Sequence, residues 1–567
     1  MKHSISTVQT TFFFFLLFIC IASPALSLSA DELSKAEIMR LGEQMYRRGI
    51  LPSGKPMEAF IRGDVEVDSS VFSCSSCHLY SGLGSFEGGV ITPPTTGTKL
   101  YKPYRRSPTL GDIADRSGRS IYSKTLQARP PYTRKTLAQA LLLGVDPIEQ
   151  VFNDVMPRYV LSDPDMAILI RYLELLSSEP SPGATATSFA FATIITDDVS
   201  SDERTAMIAP LQRFIDDMNR QATMYKDFIR FGYTPTADMK FAFHQGTLSV
   251  WNLKGDPATW QAQLAAYSAK EPVFAVLGGI SHQPWQPIHQ FCEKQRLPCL
   301  FPVTQLPDLS EKSWYTYYFN KGYYQEGEAT ARYLNRDESV TSAARVVQII
   351  QDSPVGTALA EGFTTTWNQS GQPPVTNITL TTQQLRTPGA MAKIIKQHKP
   401  SILLLWSNEI KGTQLAALAT GAAAPDRIFV SSGYLGDLVS AVPEAARKTV
   451  SITYPYRLTP FVGSKQSFDA RVALLASADK PALSRISTQT ETVLKQATLQ
   501  GLRILEDNLF RDYLLDAMSM LMDQIVLDFE RISFGPGQRF VSKGCYIIQL
   551  GPGDAPALLP RSEWVIQ

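Results

Sequence analysis

The sequence predicts a multidomain chain in which an all-α domain precedes a two-lobed α/β domain with parallel sheets. The chain has 567 residues, which corresponds to roughly three to four units of about 150 residues each. Residues 31–180 show helical periodicity, whereas from residue 189 onward short apolar runs alternate with helical stretches. Alternating strands and helices are typical of parallel sheets that are covered on both faces.

Composition leaves the class of protein open. The net charge is +1, with 44% hydrophobic and 19% charged residues, which is ordinary for a globular protein. The near-neutral charge gives no reason to expect a nucleic-acid partner. Six cysteines in a chain of this length are too few for a scaffold built on disulfides.

The N-terminal segment has the pattern of a secretory signal peptide. Lys2 and His3 precede an apolar run that continues to Ala22, and small residues follow up to Ser27. The run is shorter than the ~18–20 apolar residues that span a bilayer. We therefore expect cleavage near Ser27 and a periplasmic mature protein without a membrane span. Cys20 leaves a lipoprotein signal as the alternative.

The predicted elements follow the chain in order. In the all-α domain, helices are expected over Asp31–Arg48 and Arg134–Leu143, and from Asp163 to about Leu176. The strands predicted after it are Phe189–Ile195, Thr247–Trp251, Val273–Leu277, Arg345–Gln351, Ser401–Trp406 and Arg427–Ser431. The domain boundaries follow: signal peptide 1–27, all-α domain 28–178, polar Pro/Gly-bearing linker 179–188, and two-lobed domain 189–567.

A C-x-x-C-H motif lies in the all-α domain at residues 74–78. This motif is the attachment signal of c-type haem, in which Cys74 and Cys77 bond the ring covalently and His78 ligates the iron. A zinc site or a thioredoxin-like pair is less compatible with the sequence, because residues 31–180 contain no other Cys or His and show no strand–helix–strand pattern around the motif. The predicted cofactor is one haem c.

Met156 is the predicted second axial ligand. It precedes a proline in a loop-like stretch, whereas Met39, Met45 and Met166 lie on predicted helices as core residues. A His/Met pair raises the iron potential and leaves no open coordination position, which favours electron transfer.

A basic stretch lies between the motif and Met156. Residues 99–135 contain ten Lys or Arg against two Asp. They form either a solvated surface loop or a surface for an acidic periplasmic redox partner. Arg129 and Tyr132 are candidates for contact with the haem propionates.

Residues 31–180 resemble a class I cytochrome c domain. The resemblance rests on the order of N-terminal helix, C-x-x-C-H loop, Met-Pro loop and closing helix. It implies a proline whose carbonyl orients the haem histidine, a role that Pro93 or Pro94 could fill. The 82 positions between Cys74 and Met156 imply an inserted loop.

The remainder of the chain resembles the type I periplasmic binding fold of the leucine/isoleucine/valine-binding kind. Phe274–Ser281, Leu297–Pro302 and Val346–Gly356 carry the resemblance. It implies two lobes that close on a small polar solute, such as an amino acid or an amide. The site residues that it implies are Ser281 and Trp285 for the carboxylate and wall, Tyr324 near the interlobe segment and Glu409 for an ammonium group.

Two cysteines of this larger domain are seven positions apart. In an oxidising compartment Cys292 and Cys299 could form a disulfide, and two buried thiols are the alternative. Cys545 is left without a partner.

The main functional prediction is an exported mono-haem cytochrome that transfers electrons and is not an enzyme. Its solute-binding-type domain would sense a small molecule or dock a redox partner. The alternative prediction is a periplasmic solute receptor of an ABC-type importer with a haem regulatory domain. A third possibility is a subunit of a periplasmic dehydrogenase system.

Overall fold

A computed structural model describes residues 33–566 except 62–63, 88–89, 105–128, 233–243, 311–312, 342, 435–441, 459–480, 527, 536 and 554–556. The predicted signal peptide and five of the ten basic residues between 99 and 135 lie outside the described residues. The chain divides into two compact units, Met1–Ser178 and Glu179–Gln567.

The N-terminal unit contains helices and short strands. Its helices are α1 (Lys35–Arg48), α2 (Cys74–His78), α3 (Gly97–Leu100), α4 (Arg134–Leu143) and α5 (Asp163–Leu175). Its strands are β1 (Glu58–Ile61), β2 (Val65–Asp68), β3 (Ser85–Glu87), β4 (Val90–Thr92) and β5 (Arg158–Val160). Helix α1 begins with a capping box between Ser34 and Glu37 and ends at Gly49, which has a left-handed φ of 64°.

The prediction of an all-α domain is therefore corrected. Strands β2, β1 and β5 form an antiparallel sheet in that order, and β3 pairs with β4. Each strand has only three or four residues, which is too short for a clear alternating pattern in the sequence. The helices that were predicted in this unit are confirmed within a few residues at their ends.

The first lobe of the larger unit is built on a mainly parallel sheet. Its strands are β6 (Ala184–Thr185), β7 (Ser188–Thr196), β8 (Gln245–Leu253), β9 (Ala275–Leu277), β10 (Cys299–Leu300) and β11 (Thr316–Tyr317). Their order is β11-β10-β9-β7, with β6 and β8 both paired to β7. Its helices are α6 (Ser201–Arg230), α7 (Trp260–Lys270) and α8 (Gln286–Gln295).

The second lobe has a larger sheet in the order β13-β12-β14-β15-β16-β17-β18. Its strands are β12 (Val346–Gln351), β13 (Thr376–Leu380), β14 (Ile402–Trp406), β15 (Arg427–Val430), β16 (Val450–Tyr454), β17 (Gly544–Leu550), β18 (Leu558–Pro560) and β19 (Val565–Ile566). Its helices are α9 (Tyr323–Arg336), α10 (Pro354–Gln369), α11 (Thr382–Arg386), α12 (Ala390–His398) and α13 (Gly412–Thr420). The strands are parallel up to β16, and β17 runs antiparallel to it.

Three segments carry the chain between the lobes. Residues 318–322 form the first crossing, from β11 to α9, and the second crossing leaves β16 at Tyr454. Helices α14 (Pro481–Gln489), α15 (Lys495–Leu505) and α16 (Arg511–Ser519) then add buried side chains to the core of the first lobe. The third crossing, back to β17, uses the described residues of 520–543, which exclude 527 and 536. The C-terminal part of the chain therefore completes both lobes.

The strand predictions for this unit are confirmed by β7, β8, β9, β12, β14 and β15. The predicted linker 179–188 is corrected in part, because Ala184–Thr185 pairs with Ser188–Phe189 at the sheet. Gly183 also lies so close to Phe274 that a Cβ atom at residue 183 would be 2.1 Å from the Phe274 nitrogen. A polar composition did not distinguish this packed segment from a flexible one.

Helices α9 and α10 approach each other at two glycines. A Cβ atom at Gly327 would lie 2.1 Å from the Leu359 carbonyl oxygen, and one at Gly362 would lie 2.1 Å from the Tyr324 carbonyl oxygen. Only glycine allows so close a backbone contact. The contact fixes the N-terminal ends of both helices, where Tyr323 and Val355 lie.

Within the part of the chain that the structure describes, no helix combines the length and the apolar character needed to cross a bilayer.

Candidate functional site

A cleft with a cavity of about 350 Å³ lies between the two lobes of the larger unit. The first lobe and its C-terminal helices contribute Glu203, Ser281, His282, Gln305, Arg485 and Gln489. The facing side contributes Tyr323, Val355 and Asn408, and the second crossing contributes Tyr456, which also packs against the first-lobe core. Several of these residues follow the carboxyl ends of parallel strands, which is where open α/β sheets bind their ligands.

The loop after β9 forms part of the first-lobe wall. Gly278 and Gly279 have φ angles of 62° and 107°, and a Cβ atom at residue 279 would lie 2.8 Å from the Ile194 carbonyl oxygen. These glycines let the chain turn sharply into Ser281, whose side chain is 2% exposed. The Ser281 hydroxyl accepts a hydrogen bond from the Gln283 amide at 3.1 Å.

Glu203 and His282 form a side-chain pair at the rim of this wall. The His282 Nε2 atom lies 3.1 Å from Glu203 Oε1, and the Glu203 carboxylate accepts a hydrogen bond from the Ser200 amide at 3.0 Å. Burial alone would raise the pKa of Glu203, but the hydrogen bonds from Ser200 and the charge of His282 outweigh it and lower the pKa. The cleft thus contains an ionised carboxylate.

Arg485 contributes a cation to the same cleft. It lies on α14, and its guanidinium carbon is 4.8 Å from the centroid of the Tyr456 ring. The Gln305 amide donates to the Tyr456 hydroxyl at 3.4 Å. The Oδ2 atom of nearby Asp528 is buried and accepts no hydrogen bond from any described residue. Burial raises the pKa of Asp528 to about 7, against the opposing charge of Arg485.

The second-lobe wall is held by a buried carboxylate. Glu326 is fully buried and accepts hydrogen bonds from the Ser432 amide and hydroxyl, both at 2.6 Å, and from the Thr453 hydroxyl. Burial raises its pKa to about 7, although these hydrogen bonds act in the opposite direction. Burial and the Glu326 charge raise the pKa of Tyr323 to about 12, while the Asn408 side chain hydrogen-bonds to it. Glu326 therefore holds the turn at Ser432, and this turn lies against Tyr323, which lines the cleft.

The four cleft residues that the sequence predicted have different locations in the structure. Ser281 lines the cleft. Trp285 is fully buried in the core of the first lobe. The Lys321 ammonium lies 5.8 Å from the centroid of the Tyr324 ring. Glu409 pairs with Arg386, whose Nε atom is 3.1 Å from the carboxylate. Among these four, only Ser281 is a lining residue of the cavity.

Sequence reasoning missed Arg485, Tyr456, Tyr323 and Asn408. Tyr323 and Asn408 each lie one position before a predicted residue. The sequence therefore pointed to the correct segments but to the wrong residue in each. Arg485 follows the second crossing and belongs to a helix whose approach to the first lobe depends on the tertiary fold. A single sequence contains no local signal for such an approach.

The cysteines of the larger unit are free thiols in the structure. Cys292, Cys299 and Cys545 are all buried, so the predicted disulfide is not formed. A side-chain hydrogen bond with Cys299, together with burial, raises the pKa of Cys292 well above its usual value.

A second cavity, of about 340 Å³, lies in the N-terminal unit. The residues that the sequence predicted for that unit all line it: Cys74, Cys77, His78, Pro93, Arg129, Tyr132 and Met156. The His78 Nδ1 atom lies 2.7 Å from the Pro93 carbonyl oxygen, and the buried Nε2 atom has no partner in the described part of the chain. Burial lowers the pKa of His78 to about 4.

Arg129 and the Cys74 thiol have protein partners in this cavity. The Arg129 guanidinium carbon is 4.3 Å from the centroid of the Tyr132 ring, and Nη1 donates to the Pro130 carbonyl at 2.6 Å. Burial raises the pKa of the Cys74 thiol to about 11. Both cysteines are free thiols in the structure.

Comparison with known proteins relates part of the larger unit to a known family. Residues 247–488 match the family model described as periplasmic binding protein. The match and the two parallel-sheet lobes agree, and this part of the chain has the type I periplasmic binding fold. The match does not extend into the N-terminal unit, and no curated protein matches the chain.

Solved structures of binding proteins align with the same part of the chain. One is a branched-chain amino acid ABC transporter protein from Thermus thermophilus with bound valine, at 12% identity and a TM-score of 0.46, covering 68% of this chain and 97% of that one. Another is a solute-binding protein from Rhodopseudomonas palustris BisB5 in complex with 3,4-dihydroxybenzoic acid, at 13% identity and a TM-score of 0.46, covering 67% and 98%. A fatty acid ABC transporter substrate-binding protein from Thermomonospora curvata has 16% identity and a TM-score of 0.43, covering 69% and 95%.

The comparisons correct two predictions. The main functional prediction, an electron-transferring cytochrome, is contradicted because the family match is to a binding protein, and the alternative prediction of a solute receptor fits that match better. The predicted haem c cofactor is contradicted as well. The matched family consists of binding proteins, and the described residues include no group of three or more His, Cys, Asp or Glu side chains that could hold a metal ion.

Proposed function

We propose that the Glu179–Gln567 unit is the solute receptor of an ABC-type importer and works in the periplasm. Its ligand is a small polar solute with a carboxylate group, and amino acids and their amides are the leading class. Binding, and not bond-making chemistry, is the role assigned to the cleft.

The observation that carries this proposal is the presence of opposite charges on one interlobe cavity. Arg485 and Glu203 both line it, so a carboxylate and an ammonium group of one solute can each meet a complementary charge. The amides of Gln305, Asn408 and Gln489 also line the cavity and can exchange hydrogen bonds with an amide or a carboxylate.

The arrangement of the lobes also supports a receptor. The cleft residues come from both sheets, and three crossings connect the lobes. A solute that contacts both walls stabilises the closed arrangement of the lobes by its differential contacts. The predicted signal peptide agrees with a site of action outside the cytoplasm.

A thermal-shift screen tests this proposal. The panel contains the common amino acids, their amides and a matched set of aliphatic and aromatic carboxylates. All seven tryptophans lie in the larger unit, between Trp251 and Trp564, so tryptophan fluorescence reports the unfolding of that unit alone. A solute at 100 times its Kd should stabilise the unit by about 2.7 kcal/mol.

The methyl ester of the best carboxylate serves as the matched control solute. Because esterification removes the negative charge, the ester should stabilise the unit much less than the parent acid. If no member of the panel raises the transition temperature, the proposed solute class is wrong.

A further inference from the structure

A separate cavity of about 260 Å³ lies where the first and third crossings run side by side. The Tyr318 amide donates to the Arg539 carbonyl at 2.7 Å, and the Ser542 amide donates to the Phe319 carbonyl at 2.7 Å. We call this space the crossing cavity. None of its lining residues lines the interlobe cleft.

The crossing cavity is rich in positive charge. Lys321, Arg539 and Lys543 line it. Glu328 pairs with Lys321 at 3.0 Å, and the more distant Asp523 is paired with Arg531. Lys543 donates a hydrogen bond to the neutral Gln538 side chain. The charges on the lining residues are therefore not balanced by the acids that face them.

Arg539 provides buried donors without acceptors. The residue is 5% exposed, and its guanidinium carbon lies 4.1 Å from the centroid of the Trp314 ring and 4.6 Å from that of Tyr317. Its Nη1 atom donates to the Gln538 carbonyl at 3.2 Å. The Arg539 side chain also interacts with the Tyr317 hydroxyl. Its Nε and Nη2 atoms, and the Oγ atom of fully buried Ser542, have no partner within hydrogen-bond geometry among the residues that the structure describes.

These donors define the chemistry of a ligand. Leaving a buried N–H group without an acceptor is unfavourable, and more so when the group is charged. A guanidinium contacts aromatic rings through its face. Its N–H groups point outward in its plane, where they can donate hydrogen bonds to two oxygens of one anion. A hydroxyl and two ammonium groups on the same cavity add donors of the same kind.

We propose that the crossing cavity binds a small oxyanion of the phosphate or sulfate class. Arg539 and Ser542 form its buried end, and Lys321 and Lys543 form its open end. The site is independent of the solute receptor function, because its residues and its position differ from those of the cleft.

Titration calorimetry with sodium phosphate and sodium sulfate, against sodium chloride at equal ionic strength, tests this proposal. The test variant is Lys321→Gln/Lys543→Gln in the full chain, which keeps the buried arginine in place. The control variant is Lys254→Gln/Lys396→Gln, which removes the same charge from two exposed surface positions. We expect one oxyanion per wild-type chain, at least tenfold weaker binding in the test variant, and unchanged binding in the control.

Three results would overturn the proposal. They are no binding of phosphate or sulfate beyond the chloride reference, equal weakening in the test and control variants, and retained binding in the test variant with loss in Arg485→Gln. The last result would place the anion in the interlobe cleft. Lys543→Gln alone repeats the test if the double variant does not fold. These titrations can be interpreted even if no solute of the thermal-shift panel binds.

Discussion

Replacing Arg485 with glutamine is expected to weaken the binding of the best solute from the panel by about 10- to 100-fold. A hydrogen bond to a charged group contributes roughly 1.5–3 kcal/mol, and about 1.4 kcal/mol corresponds to a tenfold change in Kd. Glutamine keeps a polar side chain in the cleft but loses the charge that a carboxylate requires. Calorimetric Kd values of the wild-type and variant chains measure the effect.

Arg503→Gln is the matched control for this variant. Arg503 lies on α15 and is exposed, so the same change of residue type should leave the Kd unaltered. Arg485 also faces the buried Asp528, so the transition temperature of Arg485→Gln is measured separately from its affinity. An unchanged Kd in Arg485→Gln would show that the solute does not contact this arginine.

Replacing Glu326 with glutamine is expected to flatten the pH dependence of stability of the larger unit. The pKa of Glu326 is raised from 4.5 to about 7 by burial, so the folded unit binds more protons than the unfolded chain between these values. The free energy of unfolding therefore falls as the pH rises through this window. The Glu326 contribution is on the order of 3 kcal/mol.

Glutamine can keep the hydrogen bonds of Glu326 without titrating. Its carbonyl can accept from the Ser432 amide and the Thr453 hydroxyl, while its amide can donate to the Ser432 hydroxyl. Urea unfolding followed by tryptophan fluorescence between pH 4.5 and 8 measures both chains. We expect the variant to gain about 3 kcal/mol relative to wild type across this range, and the exposed Glu361→Gln to gain nothing. Parallel pH profiles for wild type and Glu326→Gln would refute the account of this carboxylate.

The sequence predicted much of the α/β architecture because buried parallel strands have a strong local pattern. The run Ser401–Trp406 is uninterrupted apolar sequence after its first residue, and the structure buries Ile402–Trp406 completely or nearly so. The short strands β1, β2 and β5 have no comparable pattern, so the N-terminal unit was predicted to be all helical. Strand β17 was missed because Gly544 and Gln549 break up its apolar residues, whose burial does not alternate strictly.

The candidate site was less predictable than the fold. Ser281 was predicted from the resemblance to the binding-protein fold, and the structure places it shortly after a buried strand and two glycines of positive φ. Arg485 and Asp528 come together only after two crossings have brought the C-terminal helices to the first lobe. Trp285 and Glu409 have residue types that suit a ligand site, but packing in one case and Arg386 in the other accounts for them.

The C-x-x-C-H motif gave a different kind of result. The residues predicted around it line one cavity of the N-terminal unit. The function drawn from that grouping for the whole chain was contradicted by the match of residues 247–488 to a binding-protein family. A motif of five residues carries information about the unit that contains it, and it does not determine the role of a second, larger unit.

The most direct test of the receptor account is calorimetric titration of the best solute into the wild-type chain and into Val355→Trp. Val355 lines the cleft at the start of α10 and is only partly buried against the second-lobe core, so a tryptophan at this position fills part of the cavity. The account predicts one solute bound per wild-type chain and no measurable binding to Val355→Trp, with equal transition temperatures of the two chains without solute. Binding of equal affinity and stoichiometry to both chains would contradict it.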